Sequence, residues 1–199
     1  MDMTLTISRG GRVAQQITDE GLFTKYGLSG PLALRASRSI GEGDVDLLLN
    51  FLPRWGGDGA ALAMVKARTA TLSGRCAGDL LTGLLPAKVG AVIVRESGIS
   101  HEIACGRLTD EQLERLAAEL TRRPIMARGL RPFKEAQVTV GGVVSSGIDP
   151  STMGSRAAPG AFFCGEVTDV DGDSGGYNLQ WAWSSGYVAG RAAAFVSTD

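Results

Sequence analysis

The stretch from Ala161 to Phe195 constrains this chain most. Ala161-Phe162-Phe163-Cys164 is a short apolar run bounded by Gly160 and Gly165, and it reads as a buried strand. Gly165-Glu166 ends the run, a polar loop from Thr168 to Ser174 follows, and Gly175-Gly176 opens a helix predicted over Tyr177 to Phe195. Ligands in open α/β folds sit beyond the carboxyl ends of strands. A helix N-terminus offers unpaired N–H groups and partial positive charge there. Glycines let an anion or a carbonyl oxygen approach the backbone. Strand end, acidic residue, Gly-Gly and helix together suggest a cofactor site. A calcium-like acidic loop and a plain strand-to-helix turn are the alternatives this spacing leaves open.

The helix carries a stripe of small residues, Ala182, Gly186, Ala189, Gly190 and Ala193, which predicts close packing on a sheet or a neighbouring helix. Trp181, Trp183 and Tyr187 lie off that stripe and read as core or interface. Asp169 and Asp171 read as residues that hold the loop.

Upstream, Thr4, Thr6 and Ser8 alternate with Leu5 and Ile7, the period of a strand. Gly10-Gly11 is a turn and Val13 to Ile17 the returning strand of a hairpin. The abrupt opening strand is expected to pair with something further upstream. Ser29 is positioned to cap a helix, with Pro31 in its first turn, Leu32, Leu34 and Ala36 behind it, and Gly41 as C-cap. Asp46 to Leu52 reads as a strand ended by Pro53, and Asp58 to Leu72 and Gly78 to Leu85 as helices. Ala87 to Glu96 fits a helix face or a strand. Thr109-Asp110-Glu111-Gln112 is a capping box ahead of Leu113, Leu116 and Leu120, predicting a helix over about 110–122 closed by Pro124. Ala136 to Val140 reads as a strand running into Gly141-Gly142-Val143. A composition shift near Pro132 divides the chain into 1–132, strands plus a helical bundle, and 133–199, glycine-punctuated strand, loop, strand, loop and helix.

Composition narrows the function classes. A net charge of -1, with Lys and Arg spread out, argues against a nucleic-acid binder. Cys76, Cys105 and Cys164 form no C-x-x-C pair and there is one His, His101, which reads as a surface residue. These counts argue against a metal site and fit a reducing cytosol, so a cytoplasmic location is expected. Met1 to Ile7 lacks the pattern of a signal peptide. No apolar stretch approaches the roughly 18 residues of a membrane span.

Ala136 to Val143, Thr152-Met153 and the run Phe163 to Ala182 closely resemble the C-terminal signature of the YhiN/BaiN-type NAD(P)/FAD-dependent oxidoreductases. Phe23-Thr24-Lys25-Tyr26-Gly27-Leu28-Ser29-Gly30-Pro31 is similar to a motif of that family's insert domain, with Lys25 where a histidine is usual. The usual Thr-Met-Glu-Ser-Lys stands here as Thr152-Met153-Gly154-Ser155-Arg156. The resemblance implies an α+β and α/β chain. Residues 1–132 would be the latter part of an insert domain, and 133–199 the C-terminal strand-loop-strand-helix segment of a Rossmann-like FAD domain. The family's N-terminal Rossmann half, with its G-x-G-x-x-G, is missing from this sequence.

The resemblance further implies FAD as cofactor of the complete enzyme. Its binding residues here would be Thr139, Gly141, Gly142, Gly165, Glu166, Gly175, Gly176, Tyr177 and Asn178. Glu166 would lie near the ribityl chain, the Gly175–Asn178 helix start would face the pyrimidine edge or the pyrophosphate, and Thr139, Gly141 and Gly142 would back the isoalloxazine. Lys25 reads as solvated or substrate-facing. No catalytic residue is assigned, because hydride transfer is the flavin's own chemistry. The implied function is a fragment of an oxidoreductase passing hydride between flavin and NAD(P)H or an organic substrate, with bile-acid-type enones and amines as substrate classes. The alternative is a non-catalytic module or partner subunit of a split flavoprotein. The expected partners are an N-terminal Rossmann half encoded separately and a small-molecule substrate, not nucleic acid or membrane. The isolated chain is expected to self-associate through unpaired strand edges.

Overall fold

A computed structural model describes residues 1–40 and 45–195, a mixed α/β chain that divides into two compact units, Met1–Leu130 and Arg131–Asp199. In the first unit, period-two alternation produces β1 (Asp2–Arg9), paired antiparallel with β2 (Arg12–Glu20) across the Gly10-Gly11 turn. Met3, Leu5 and Ile7 share one buried face with Ile17 of β2 and with Leu47 and Leu49 of β5 (Asp46–Asn50). On the other face Thr4 and Thr18 share a hydroxyl hydrogen bond of 2.6 Å, and Gln16 donates to Thr6. The sheet order is β2-β1-β5-β6, with β6 at Arg123–Ile125. β1 is therefore a central strand with both edges filled by its own unit, which corrects the expectation of an upstream partner.

A small hairpin, β3 (Leu22–Thr24) and β4 (Gly27–Ser29), precedes helix α1 (Pro31–Ile40). The cap is Gly30, not Ser29: its carbonyl accepts the first helical bond, from Leu34 at 3.0 Å, and its φ of +85° suits glycine. The expected C-cap Gly41 lies outside the described residues. Helices α2 (Asp58–Thr71) and α4 (Asp110–Thr121) pack together, tied by Thr121 donating to Asp58 at 2.5 Å and Arg122 pairing with it at 3.0 Å. The α4 capping box forms in both directions. Ala87–Glu96 resolves as helix α3.

Two further expectations fail in this unit. Gly78 to Leu85 is a 3-10 turn at Ala77–Asp79 followed by further turns, not a helix. Gly83 has φ +82°, the Gly78 N–H goes to the His101 carbonyl, and Arg68 takes the Leu80 and Thr82 carbonyls, so an α-ladder cannot close. Pro124 does not simply close α4; it sits in the edge strand β6 opposite Leu48, where its missing N–H is tolerated.

The second unit is built on one helix, α5 (Tyr177–Ala194). Its core is small: Ile148, Met153 and Ala189 are buried, with Val143, Phe162, Phe163, Trp181 and Val188 packed around them. Neither predicted strand forms here. Ala136–Val140 makes no ladder, because the Thr139 N–H goes to the Glu166 carboxylate instead of a strand carbonyl. Ala161–Cys164 keeps a single bridge, Gly154 to Phe162, and is half-buried with Cys164 exposed. Phe163 N–H to the Met153 carbonyl and Ser155 N–H to the Ala161 carbonyl make that bridge, and it goes no further because the Gly165 N–H is spent on the Ser185 hydroxyl. The packed face of α5 runs along Trp181, Ser185, Val188 and Ala189, while Gly190 and Ala193 of the small-residue stripe are exposed. No helix among the described residues is long and apolar enough to cross a membrane.

Candidate functional site

The turn Gly165–Val167 is the centre of the second unit's polar chemistry. It follows extended backbone at Cys164 and reverses through Gly165, whose φ of +69° favours glycine. Glu166 projects from it, exposed, and its Oε1 accepts the Thr139 N–H at 2.7 Å. Two residues expected at the cofactor are thus brought together across 27 positions of sequence.

Gly142 lies against the same turn. A Cβ there would stand 2.5 Å from the Val167 carbonyl oxygen and 2.9 Å from the Thr168 carbonyl carbon, so only glycine allows the approach. The two segments are stitched by Val143 N–H to the Val167 carbonyl at 2.8 Å and Asp169 N–H to the Val143 carbonyl at 2.9 Å. Gly141, at φ +96°, faces open space.

The polar loop reaches α5 through a clasp. The Asn178 side-chain amide accepts from Gly172 N–H at 2.8 Å and donates to the Gly172 carbonyl at 3.0 Å. Asn178 therefore holds the loop, and both polar ends of its amide are engaged. Gly172 has no room for a side chain, its Cβ position being 2.8 Å from that of Tyr177. Asp169 anchors the loop by its main chain. Gly175 and Gly176 enter the helix at φ +130° and +94°, with Tyr177 two-thirds exposed. The Gly165 turn rests on α5 at Trp181 and Ser185, roughly one turn or more beyond Tyr177 at ~1.5 Å per residue.

Sequence reasoning missed the groups that hold this turn. Ser185, Trp181 and Thr168 hydrogen-bond to the Gly165 peptide or to one another. The available signal is a serine four residues after Trp181, at helical spacing with the apolar Val188 and Ala189. Met153, within the Thr152–Arg156 motif, is buried at φ +59°, the one positive value outside glycine among the described residues. Asp149 accepts both the N–H and the hydroxyl of Ser151, which holds its carboxyl below the ordinary carboxylate range, with Arg156 adding to the effect. Lys25 is exposed at the tip of the β3–β4 hairpin, whose Phe23 stacks on Phe51 at 6.1 Å. His101 is exposed and bonds the Ala91 carbonyl.

The donor set fits a flavin nucleotide. The Glu166 Oε2 keeps its acceptor capacity for sugar-alcohol hydroxyls. The Tyr177, Asn178 and Leu179 N–H groups precede the first helical bond of α5, made by Gln180 to Gly176. Gly141 and Gly176 leave open the volume that side chains would fill. Among the described residues no group of three His, Cys, Asp or Glu side chains converges to hold a metal ion.

Comparison with known proteins establishes the family. Residues 12–192 match the family described as HI0933-like protein Rossmann domain. The chain belongs to this family, as its resemblance to the YhiN/BaiN-type flavoproteins implied. It is 34% identical over 194 residues to the 3-dehydro-bile acid delta(4,6)-reductase of Clostridium scindens, covering 93% of this chain and 46% of that protein. It is 31% identical over 170 residues to the ribosomal RNA dihydrouridine synthase of Escherichia coli, covering 85% and 41%. The Haemophilus influenzae protein of the same name is 32% identical over 170 residues, covering 84% and 40%. The chain thus spans less than half the length of these relatives.

Proposed function

We propose that this member of the HI0933-like family supplies the flavin-facing C-terminal wall of an FAD-dependent oxidoreductase. The observation that carries the reading is the Glu166 carboxylate, held by Thr139 N–H on a glycine turn seated on the helix whose N-terminus opens at Gly175-Gly176. When bound, FAD supplies the hydride chemistry that no side chain here provides. The chain's own residues bind and orient. Glu166 accepts hydroxyl hydrogen bonds through Oε2, and the α5 N-terminus offers N–H groups and positive potential to an anionic edge. Gly141 and Gly176 admit the ligand to the backbone.

The relatives' names narrow the substrate class. Reducing a 3-dehydro bile acid at positions 4 and 6, and making dihydrouridine from uridine, both saturate a ring carbon–carbon double bond conjugated to a carbonyl. We extend that class to this chain, with NAD(P)H as the source of reducing equivalents. A net charge of -1 favours a small molecule over RNA as the carrier of that bond. A second reading, a partner subunit inactive alone, is favoured by the exposed Leu179, Trp183 and Tyr187, apolar residues on a helix already packed on its other side. Its natural counterpart is a Rossmann half bearing G-x-G-x-x-G.

The test is titration of the purified chain with FAD, alone and mixed with such a half, followed by visible flavin absorbance and then NAD(P)H oxidation with a cyclic enone. Flavin uptake with either preparation, lost in E166A, is expected. Absence of uptake in both refutes the reading.

A further inference from the structure

We infer that Ser185, Trp181 and Thr168 are positioning residues for the cofactor-facing turn, fixing where Gly165 and Glu166 stand relative to α5. The inference rests on the proposed flavin reading only for its consequence at the cofactor. The Ser185 hydroxyl accepts the Gly165 N–H at 2.9 Å and donates to the Trp181 carbonyl at 2.6 Å. The Thr168 hydroxyl donates to the Gly165 carbonyl at 2.7 Å and accepts the Trp181 indole N–H at 2.9 Å. That indole N–H also points at the Gly165 carbonyl, at 3.3 Å. Ser185 thereby holds the Gly165 N–H, and the Thr168 hydroxyl and Trp181 indole hold its carbonyl together with the Thr168 N–H at 3.1 Å, with Ser185 and Trp181 both contributed by α5.

Ser185 and Thr168 are each 2% exposed, so water cannot replace the lost partner when one is removed. The next residue after the pinned glycine is Glu166, whose other tie is the Thr139 N–H. A helix that carries its own N-terminal N–H groups and also clamps the acidic turn sets the spacing of both. Loss of the clamp frees Glu166 while the α5 N-terminus stays in place, because the Gly172–Asn178 clasp is separate.

The test uses the full chain, with S185A, W181F and T168V as disrupting variants and T168S as the conservative one. Hydrogen–deuterium exchange is read first, without cofactor. We expect the Gly165 amide to exchange about tenfold faster or more in S185A, the size of leaving one buried group unsatisfied, and the Thr168 amide, which donates to the Gly165 carbonyl, to exchange measurably faster in T168V. T168S restores protection, and the α5 amides beyond Ser185 stay as in the wild type. Unchanged exchange at Gly165–Thr168 overturns the inference. The FAD dissociation constant is read second, in the preparation that takes up flavin. A rise of about tenfold in S185A, reversed in T168S relative to T168V, supports the positioning role, since a merely structural loss does not follow the Thr168 hydroxyl. If the wild type binds FAD and S185A binds it equally well, the inference fails while the flavin reading stands. If the wild type takes up no flavin, that reading fails and the exchange result still decides the clamp.

Discussion

Replacing Gly142 by alanine tests the close approach on which the candidate site depends. A Cβ at this position meets the Val167 oxygen at 2.5 Å and the Thr168 carbonyl carbon at 2.9 Å, both main-chain atoms that cannot swing aside. The φ of +148° adds strain of order 1–3 kcal/mol for a residue with a side chain. Relieving the clash parts the Val143–Thr168 bridge and its two flanking hydrogen bonds, each worth about 0.5–1.5 kcal/mol net. The sum is about 2–6 kcal/mol. Gly141→Ala shares the positive φ, at +96°, but meets nothing within 4 Å, so it carries the strain alone. Gly147→Ala has neither problem and is expected to be neutral or stabilising by up to ~1 kcal/mol. In a W55F background the tryptophan emission comes from Trp181 and Trp183, both in the second unit, and urea unfolding reports that unit alone. The expected order of stability is G147A, then G141A, then G142A, with at least about 1 kcal/mol separating the last two. A G142A protein as stable as G141A refutes the packing argument.

Three further outcomes follow from other parts of the chain. Thr109→Ala removes the acceptor of the Gln112 N–H and should cost about 1 kcal/mol in urea unfolding followed by Trp55 emission, whereas a loss near zero would show that the capping box adds nothing. Ser151→Ala removes the larger of the two bonds that depress the Asp149 carboxyl, so its titration by NMR should move up toward the ordinary value of 3.8. Because the folded-state pKa is the lower one, the contribution of this carboxylate is present above the unfolded value and is lost as pH falls through the folded one. Limited trypsin digestion should cut first after Arg128, between the 89% exposed Met126 and the 51% exposed Leu130, since Arg131 is followed by Pro132. A first cut inside α4 or α5 would contradict the division into units.

Local, strongly patterned elements were legible in the sequence for physical reasons. Leu5 and Ile7 alternate with threonines, and the Thr109–Gln112 box satisfies its own donors, so neither needs distant context. The segments that misled, Ala136–Val140 and Ala161–Cys164, have strand composition but lack a ladder. An apolar alternating run states what a strand would bury, not whether a neighbour stands beside it. Here one donor goes to a carboxylate and another to a serine hydroxyl, pairings across 27 and 20 positions that no local window contains. The glycines were legible as unusual. Which of them mattered was not: Gly142 is crowded by backbone, while Gly141 beside it is open. The same limit hid Ser185, whose role depends on what the chain lays against it.

Helix α5 is apolar on two sides. Its packed face runs through Trp181, Ser185 and Ala189, and Leu179, Trp183 and Tyr187 are 69%, 75% and 66% exposed. At about 100° per residue the centres of the two sets lie roughly 160° apart, on opposite sides of the helix. A helix apolar on both sides belongs between two layers, and the unit's own buried core supplies one of them. In the proposed reading the other layer is a Rossmann half bearing G-x-G-x-x-G. With that face uncovered, the chain should associate with itself, and light scattering should give a mass above that of one 20.7 kDa chain. Trp183→Glu should return it toward the monomer and also abolish capture of a co-expressed Rossmann half, while leaving the exchange protection at Gly165–Thr168 intact, because Trp183 takes no part in that clamp. A wild-type chain that stays monomeric at high concentration, or a W183E variant that still captures the half, would place the second layer elsewhere on the unit.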